Sequence, residues 1–200
     1  MITKELFEFD IALSSDLICG IDETGRGPLA GPVVAAACIM DYSVMIDGIK
    51  DSKKIPEAKR ELLFEKIISC CKDYSVSVIC ADTIDKINIL RATELAMQNA
   101  LGGLKFNPNL ILIDGNDKFD LGVDYKSIIK GDQKSYSIAA ASIIAKVTRD
   151  RIMTKACKEY PEYNFSKHKG YGTLLHYEAV KKYGLCALHR KSFFKNYYGK

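Results

Sequence analysis

The stretch that decides the fold is LICGIDETGRGPLAGPVVAAACIM, residues 17–40. It contains two short apolar runs, LICGID (17–22) and VVAAACIM (33–40), separated by a segment rich in Gly and Pro. Short apolar or β-branched runs bounded by such residues are typical of buried strands. The segment between them is predicted to be a hairpin-like turn. Although it contains the GxGxxG/A pattern of dinucleotide-binding proteins, that pattern must open a helix, and here Pro32 and two valines lead into a strand.

Outward from this hairpin, predicted helices and strands alternate. The helix that follows Pro56 and the helix that begins with Asp82 or Thr83 as cap and stops at Gly102 both show helical spacing of apolar residues or helix boundary signals. The predicted helices span residues 57–73, 81–103, 135–160 and 174–184, and the further strands span 74–80, 109–114 and 126–131. This alternation predicts an α/β fold with a helical C-terminal portion.

Length and charge indicate one domain with a basic end. Two hundred residues with 48% hydrophobic content suit a single domain with a substantial core. Residues 1–150 carry 18 basic and 22 acidic side chains, whereas residues 151–200 carry 11 and 3. We therefore predict a single domain over 1–200, with a core at about 17–160 and a basic, helical region at 161–200, which is the better suited end to contact a polyanion.

Cysteine usage and hydropathy predict a cytoplasmic protein. The seven cysteines are odd in number and lack a CxxC motif, and Cys19, Cys38 and Cys80 lie in apolar runs, which favours buried free thiols in a reducing compartment. The N-terminus has no apolar signal region, and no apolar run approaches the ~20 residues of a membrane span. No membrane partner is expected.

Acidic residues follow the predicted strands. Asp22 and Asp114 each end a strand, and ligands bind at the carboxyl ends of strands in open α/β sheets. Taken alone, such an Asp more often begins a turn, and Asp132 alone is typical of a helix N-cap. Glu23 beside Asp22 changes this interpretation, because adjacent carboxylates repel unless a cation lies between them. The two can share a site only if the strand breaks there, since neighbouring strand residues point to opposite faces.

An oxygen-only donor set favours a particular metal. Asp22, Glu23, Asp114 and Asp132 have no predicted His or Cys neighbour, so the set suits Mg²⁺ or Mn²⁺ and not Zn²⁺. In the adjoining turn, glycine lets backbone approach a ligand closely, and Arg26 is available for a phosphate.

Five motifs, in order along the chain, resemble those of bacterial ribonuclease HII, the type 2 ribonuclease H. The motifs are DETGRG (22–27), DSKK (51–54), IDG (113–115), KGD with AAASIIAKVTRD (130–132 and 139–150) and HKGYGT (168–173). The resemblance implies a ribonuclease H-like mixed sheet flanked by helices. It also implies a metal-dependent endoribonuclease that hydrolyses RNA in RNA/DNA hybrids and cleaves at single ribonucleotides in duplex DNA, leaving 3′-OH and 5′-phosphate ends, as in ribonucleotide excision repair.

The resemblance also implies roles for individual residues. Asp22, Glu23, Asp114 and Asp132 would bind two Mg²⁺ or Mn²⁺ ions and act in catalysis. The turn residues Gly25, Arg26 and Gly27 would sense the ribose 2′-OH, Tyr171 would pack on the neighbouring deoxyribose, and Lys53 would touch a phosphate. Thr24 departs from the family's usual Ala, and we expect activity to survive this change.

Other interpretations stay open at this point. A type 3 ribonuclease H is similar in chemistry but usually reads GKG at residues 25–27, and a hybrid-binding module without catalysis would not need all four acids. Lys146 could pair with an active-site acid or snorkel along an apolar helix. The segment KSFFKNYYGK (191–200) reads as a docking peptide for a replication clamp or as a tail packed on the core. The three histidines show no metal-ligand spacing, and no role is predicted for them.

Overall fold

A five-stranded mixed sheet forms the centre of the computed structural model, which describes residues 2–194. Its strands are β1 (Ile18–Thr24), β2 (Val33–Ile39), β3 (Asp73–Ile79), β4 (Leu110–Asp114) and β5 (Lys126–Ile128), in the spatial order β3-β2-β1-β4-β5. β2 pairs antiparallel with β1 and β3, whereas β4 pairs parallel with β1 and β5. The predicted hairpin and the predicted mixed sheet are both confirmed.

Helices cover both faces of this sheet. They are α1 (Ile2–Ile11), α2 (Glu57–Cys70), α3 (Ala81–Gly102), α4 (Tyr136–Glu159), α5 (Phe165–His168) and α6 (Leu174–Tyr183). Helix α1 was not predicted. Its Leu6 is buried against the sheet, and the Thr3 hydroxyl donates to the Ile49 carbonyl at 3.1 Å.

Helix α3 differs from its prediction in two ways. Its N-cap position is occupied by Cys80, whose side chain makes no capping bond, so the predicted caps Asp82 and Thr83 are wrong. The helix is also kinked at Asn88, which has a φ of 65°. The Asn88 carboxamide oxygen accepts from the next two free amides, those of Leu90 and Arg91, at 3.0 and 3.1 Å, and so caps the second half of the helix.

The two faces of β2 contact different helices. Ala36 and Cys38 face the cluster formed with α1, α2 and α4, whereas Ala35 and Ala37 face the cluster formed with α3. Gly20 lets α4 press against β1, because a Cβ at this position would lie 2.1 Å from the Ser137 carbonyl carbon. This close approach brings the start of α4 to the sheet beside β1.

A third apolar cluster lies under the C-terminal portion. Phe165, Val180 and Phe194 are buried there with Ala30 of the β1–β2 turn and Met153 of α4. The C-terminal elements therefore pack directly against the turn. The clamp-docking prediction for 191–200 lies mostly outside the described residues.

All seven cysteines are free. Cys19 and Cys38 are buried as predicted, but Cys80 is exposed because it precedes α3 at the surface and ends no buried strand.

Within residues 2–194, none of the helices has the length and apolar character required to cross a membrane.

Candidate active site

Two acids leave the sheet side by side. β1 and β4 are parallel neighbours, and their last paired residues are Ile21 and Ile113, so Asp22 and Asp114 follow at the same edge. The structure therefore brings these two carboxylates together, for the reason that the carboxyl ends of parallel strands meet at one edge.

Glu23 reaches the same place by a route that the sequence did not predict. The strand does not break before Glu23, because β1 continues to Thr24 and stays paired with β2. The expected break is therefore wrong. Pairing with β4 stops one residue before Asp22, and Asp22, Glu23 and Thr24 all line one cavity of about 280 Å³ at this open edge.

Asp132 joins the site through a backbone link to Asp114. It lies buried in a short 3-10 turn, Gly131–Gln133, whose Gly131 amide donates to Asp114 Oδ1 at 2.5 Å. The N-cap of α4 is Ser135, whose hydroxyl accepts from the Ile138 amide, so the alternative that Asp132 caps this helix is wrong. Four carboxylates thus meet from β1, β4 and this turn.

The four carboxylates form a strongly negative, poorly hydrated group. Burial, together with the charges of Glu23 and Asp114, raises the pKa of Asp22 well above its usual range. Burial also raises the pKa of Glu23, although Arg26 opposes this, and raises that of Asp132 to about 6. Burial alone would lower the pKa of Lys53, but the charges of Asp22 and Asp132 outweigh burial and raise this pKa above its usual value.

These shifts define what the site can accept. Buried carboxylates that raise one another's pKa are stabilised by a cation placed among them, and an oxygen-only donor set suits a hard divalent ion. Among residues 2–194 no three or more His, Cys, Asp or Glu side chains form a ready-made metal cage. Mg²⁺ does not require one, because it keeps several waters and completes its shell with substrate phosphates. The residues therefore fit a divalent metal bound together with substrate.

Two glycines of the β1–β2 turn differ in how closely other protein atoms surround them. Gly25 has a φ of +94°, and a Cβ there would lie 2.3 Å from Arg149 Nε. A Cβ on the exposed Gly27 would meet no protein atom within 4 Å. Arg26 is not a free phosphate ligand, since its guanidinium donates to Asp117 at 2.6 Å and lies 3.5 Å from Glu23.

The two remaining predicted residues, Lys53 and Tyr171, line the same cavity as Asp22 and Glu23. Lys53 is exposed beside the acids, and its amide donates to the carboxylate of Asp51 at 3.0 Å. Tyr171 is 44% exposed, which leaves part of the residue available to a ligand.

Sequence reasoning missed an ion-pair network at the base of the cavity. Asp150 accepts from Lys146 at 2.6 Å and from the buried Arg60 at 3.2 Å. Arg60 also donates to the Ser52 carbonyl at 2.8 Å and so ties the DSKK segment to α4. Lys146 therefore pairs with Asp150 and not with one of the four acids. The four-residue spacing of Lys146 and Asp150 on a predicted helix was the available signal.

Comparison with known proteins first defines the class. The fold matches the crystal structure of ribonuclease H2 from Pyrococcus horikoshii, with a TM-score of 0.74 and 30% identity over 88% of this chain and 93% of that one. It also matches ribonuclease HII in its PCNA complex from Archaeoglobus fulgidus, with a TM-score of 0.75 and 26% identity over 87% and 93%. Bst-RNase HIII shares the fold with a TM-score of 0.67 at 20% identity, and the match covers 85% of this chain and 63% of that one. These neighbours define a ribonuclease H-like nuclease.

The sequence comparisons narrow the class to one family. The family model for ribonuclease HII matches residues 19–196. Ribonuclease HII of Caldicellulosiruptor saccharolyticus is 52% identical over 198 residues, which cover 98% of this chain and 97% of that protein. The chain belongs to the ribonuclease HII family.

Membership of the ribonuclease HII family establishes the general class of activity. The protein is a ribonuclease H, a hydrolase that acts on RNA in RNA/DNA hybrids and depends on a divalent metal. The interpretations as a type 3 enzyme and as a non-catalytic binding module are not supported, since the match at about half identity is to type 2 enzymes.

Proposed function

We propose that this ribonuclease H also cleaves at single ribonucleotides embedded in duplex DNA, leaving 3′-OH and 5′-phosphate ends, and that it contributes to ribonucleotide excision repair. Asp22, Glu23, Asp114 and Asp132 hold Mg²⁺ or Mn²⁺, two ions during catalysis. The observation that carries this proposal is the meeting of four carboxylates beside an open glycine turn.

The chemistry requires charge neutralisation at the scissile phosphate. Divalent ions bound at such a site stabilise the attacking and leaving oxygens of an in-line displacement. The chain supplies the oxygens that hold them, and the Gly131 amide keeps the Asp114 carboxylate in place. Lys53 contacts a phosphate next to the cleaved bond, since its ammonium lies at the cavity beside the acids.

Recognition of the ribose falls to the turn and to the tyrosine. A 2′-OH distinguishes RNA from DNA at a single position. We assign its sensing to Gly25, Arg26 and Gly27, because the open face at Gly27 admits a sugar. Arg26 contributes through its backbone, since its side chain is paired with Asp117. Tyr171, half-exposed at the same cavity, packs on the neighbouring deoxyribose.

The basic region supplies general affinity for the duplex. Exposed lysines along α4, α6 and the following segment carry charge that the sequence concentrates in residues 151–200; they include Lys155, Lys181, Lys182 and Lys191. We propose that 161–200 forms a substrate-contacting part of one catalytic domain in a cytoplasmic enzyme. A replication-clamp contact through the tail is proposed by analogy with the Archaeoglobus protein in its PCNA complex, and loss of clamp binding on deletion of 195–200 tests it.

The test of the proposed function uses a DNA duplex containing one ribonucleotide, labelled at both ends. Wild-type protein with Mg²⁺ or Mn²⁺ should cut this duplex once and leave the two stated ends, and a chelator should abolish cleavage. Asp114→Asn keeps an oxygen that can accept from the Gly131 amide but removes a charge from the site, so it should fold and lose activity. Asp124→Asn, a change at an exposed acid of the β4–β5 connection, is the matched control.

Two outcomes contradict the proposal separately. Cleavage of long hybrids but not of the single-ribonucleotide duplex contradicts the substrate assignment. Near wild-type rates for Asp114→Asn contradict the assignment of the carboxylates.

A further inference from the structure

Three segments that are distant in the sequence meet behind the ribose-recognition turn. The amides of Leu29 and Ala30 donate to the Gly170 carbonyl at 2.9 and 3.3 Å. On the other side, the Gly31 amide donates to the Leu188 carbonyl, and Ala30 and His189 form an isolated β-bridge. The turn is thus held between the tyrosine loop and the segment 186–190.

A buried arginine from that segment organises the turn. The guanidinium of Arg190, which is 0% exposed, donates to three turn carbonyls. The acceptors are Gly25 at 2.5 Å, Arg26 at 2.9 Å and Gly31 at 3.0 Å. Only a planar fork with several donors can bridge carbonyls in this arrangement, and a lysine ammonium cannot.

The preceding residue, His189, begins a hydrogen-bond chain to the tyrosine. The Cys186 amide donates to His189 Nδ1 at 2.9 Å, so the proton of neutral His189 is on Nε2. His189 Nε2 lies 3.0 Å from His176 Nε2, so His189 donates and His176 accepts. The proton of His176 is then on Nδ1, which donates to the Tyr171 carbonyl at 3.0 Å. The contacts allow one proton arrangement for this chain.

His168 completes the support of the tyrosine loop. Its Nδ1 accepts from the Gly170 amide at 3.2 Å, its Nε2 donates to the Tyr163 carbonyl, and its ring stacks on His176 with centroids 4.5 Å apart. Because all three histidines are buried and each nitrogen has a defined role, the loop backbone on both sides of Gly170 is tied to this group.

We propose that His189 and Arg190 are positioning residues for ribose recognition, with Arg190 setting the backbone of the glycine turn and His189, through His176, setting the backbone of Tyr171. This inference rests on the proposed roles of the turn and of Tyr171. In this arrangement the adjacent residues His189 and Arg190 hold the glycine turn and the tyrosine loop in position relative to each other.

The desolvation of these buried polar side chains indicates that they position the recognition surface and do not serve stability alone. A buried arginine and two buried imidazoles pay for desolvation, and apolar side chains of similar volume fill such space at lower cost. What apolar residues cannot do is define the orientation of four carbonyl groups. The polar chain does so through directional hydrogen bonds.

The test compares variants that remove or retain this hydrogen bonding. His176→Leu keeps bulk but removes both bonds, whereas His176→Asn places a donor near the position of Nδ1, for the Tyr171 carbonyl, and loses only the Nε2 acceptor for His189. Arg190→Lys keeps the charge but loses the fork. The measurement is the ratio of kcat/KM on a single-ribonucleotide duplex to kcat/KM on a long RNA/DNA hybrid, with each variant shown to be folded by its melting curve.

We expect His176→Leu and Arg190→Lys to lower this ratio about fivefold to tenfold, the size of one or two lost hydrogen bonds. A long hybrid offers many registers for cleavage, so it tolerates a misplaced turn better than a lone ribonucleotide does. His176→Asn should restore the ratio to within about threefold of wild type. A structural role would lower stability and both activities without changing the ratio.

Two control variants separate this inference from the function on which it rests. Gly27→Ala and Tyr171→Ala alter the recognition surface directly and should lower the same ratio. If they do and the folded His176 and Arg190 variants do not, the positioning roles are wrong while recognition stands. If Gly27→Ala and Tyr171→Ala leave the ratio unchanged, the recognition roles fall and the inference falls with them. If His176→Leu does not fold, Arg190→Lys decides the question, and an unchanged ratio in folded Arg190→Lys overturns the inference.

Discussion

The two glycines of the turn provide a test that separates folding from recognition. Gly25 has a φ of +94°, which costs an L-residue about 1–3 kcal/mol. An added Cβ would also lie 2.6 Å from the Pro32 carbonyl oxygen and 2.3 Å from Arg149 Nε, and overpacking of this kind costs about 1–3 kcal/mol more. Gly25→Ala should therefore lose about 2–6 kcal/mol of unfolding free energy.

Gly27→Ala should behave differently in the same assays. No protein atom lies within 4 Å of its added Cβ, so its effect on stability should stay within about 0.5 kcal/mol. At about 2–4 °C per kcal/mol for a chain of this size, Gly25→Ala should lower Tm by about 4–24 °C and Gly27→Ala by no more than about 2 °C.

Activity should then identify the role of Gly27. If a ribose lies against this face, the new methyl weakens a hydrogen bond worth about 0.5–1.5 kcal/mol, a loss of about twofold to thirteenfold in kcat/KM on a single-ribonucleotide duplex. The loss on a long hybrid should be smaller. Equal losses on both substrates, or a Tm decrease as large as that of Gly25→Ala, would refute the reasoning.

Three further predictions concern charge. Asp22→Asn should abolish cleavage yet raise the Tm of metal-free protein, because it removes a buried carboxylate whose pKa is raised by burial and like charge; an unchanged cleavage rate or a lowered Tm contradicts this. Burial lowers the pKa of His176 and of His189 to about 4, so the unfolded chain binds protons between pH 6.5 and 4 that the folded chain does not. The unfolding free energy should therefore decrease as the pH is lowered through this window, by up to about 3 kcal/mol per histidine. The unfolding free energy of His176→Asn, measured by urea titration at several pH values, should depend less steeply on pH. Replacing Lys181 and Lys182 by Gln should weaken hybrid binding and flatten its salt dependence, and an unchanged slope would exclude α6 from the contact face.

Much of the fold was predictable because its signals are local. The strands β1 and β2 are short apolar runs, and the turn between them is marked by glycine and proline. Where signals were weak, tertiary contacts decided. Helix α1 exists because Leu6 packs against the sheet, and the kink of α3 depends on Asn88 capping the helix from within.

The sequence by itself determined the candidate chemistry of this protein: which acids follow which strands, that the proposed donors are all oxygens, and which family the motifs resemble. Only the tertiary structure decided how those groups are held. Asp132 is brought to the candidate site by its neighbour Gly131, whose amide donates to Asp114, 17 residues earlier, and Arg190 donates to the Gly25 carbonyl from 165 residues away. Hydrogen bonds of this kind leave no periodic pattern in the sequence, because their partners are chosen by the packing of whole elements and not by their neighbours along the chain.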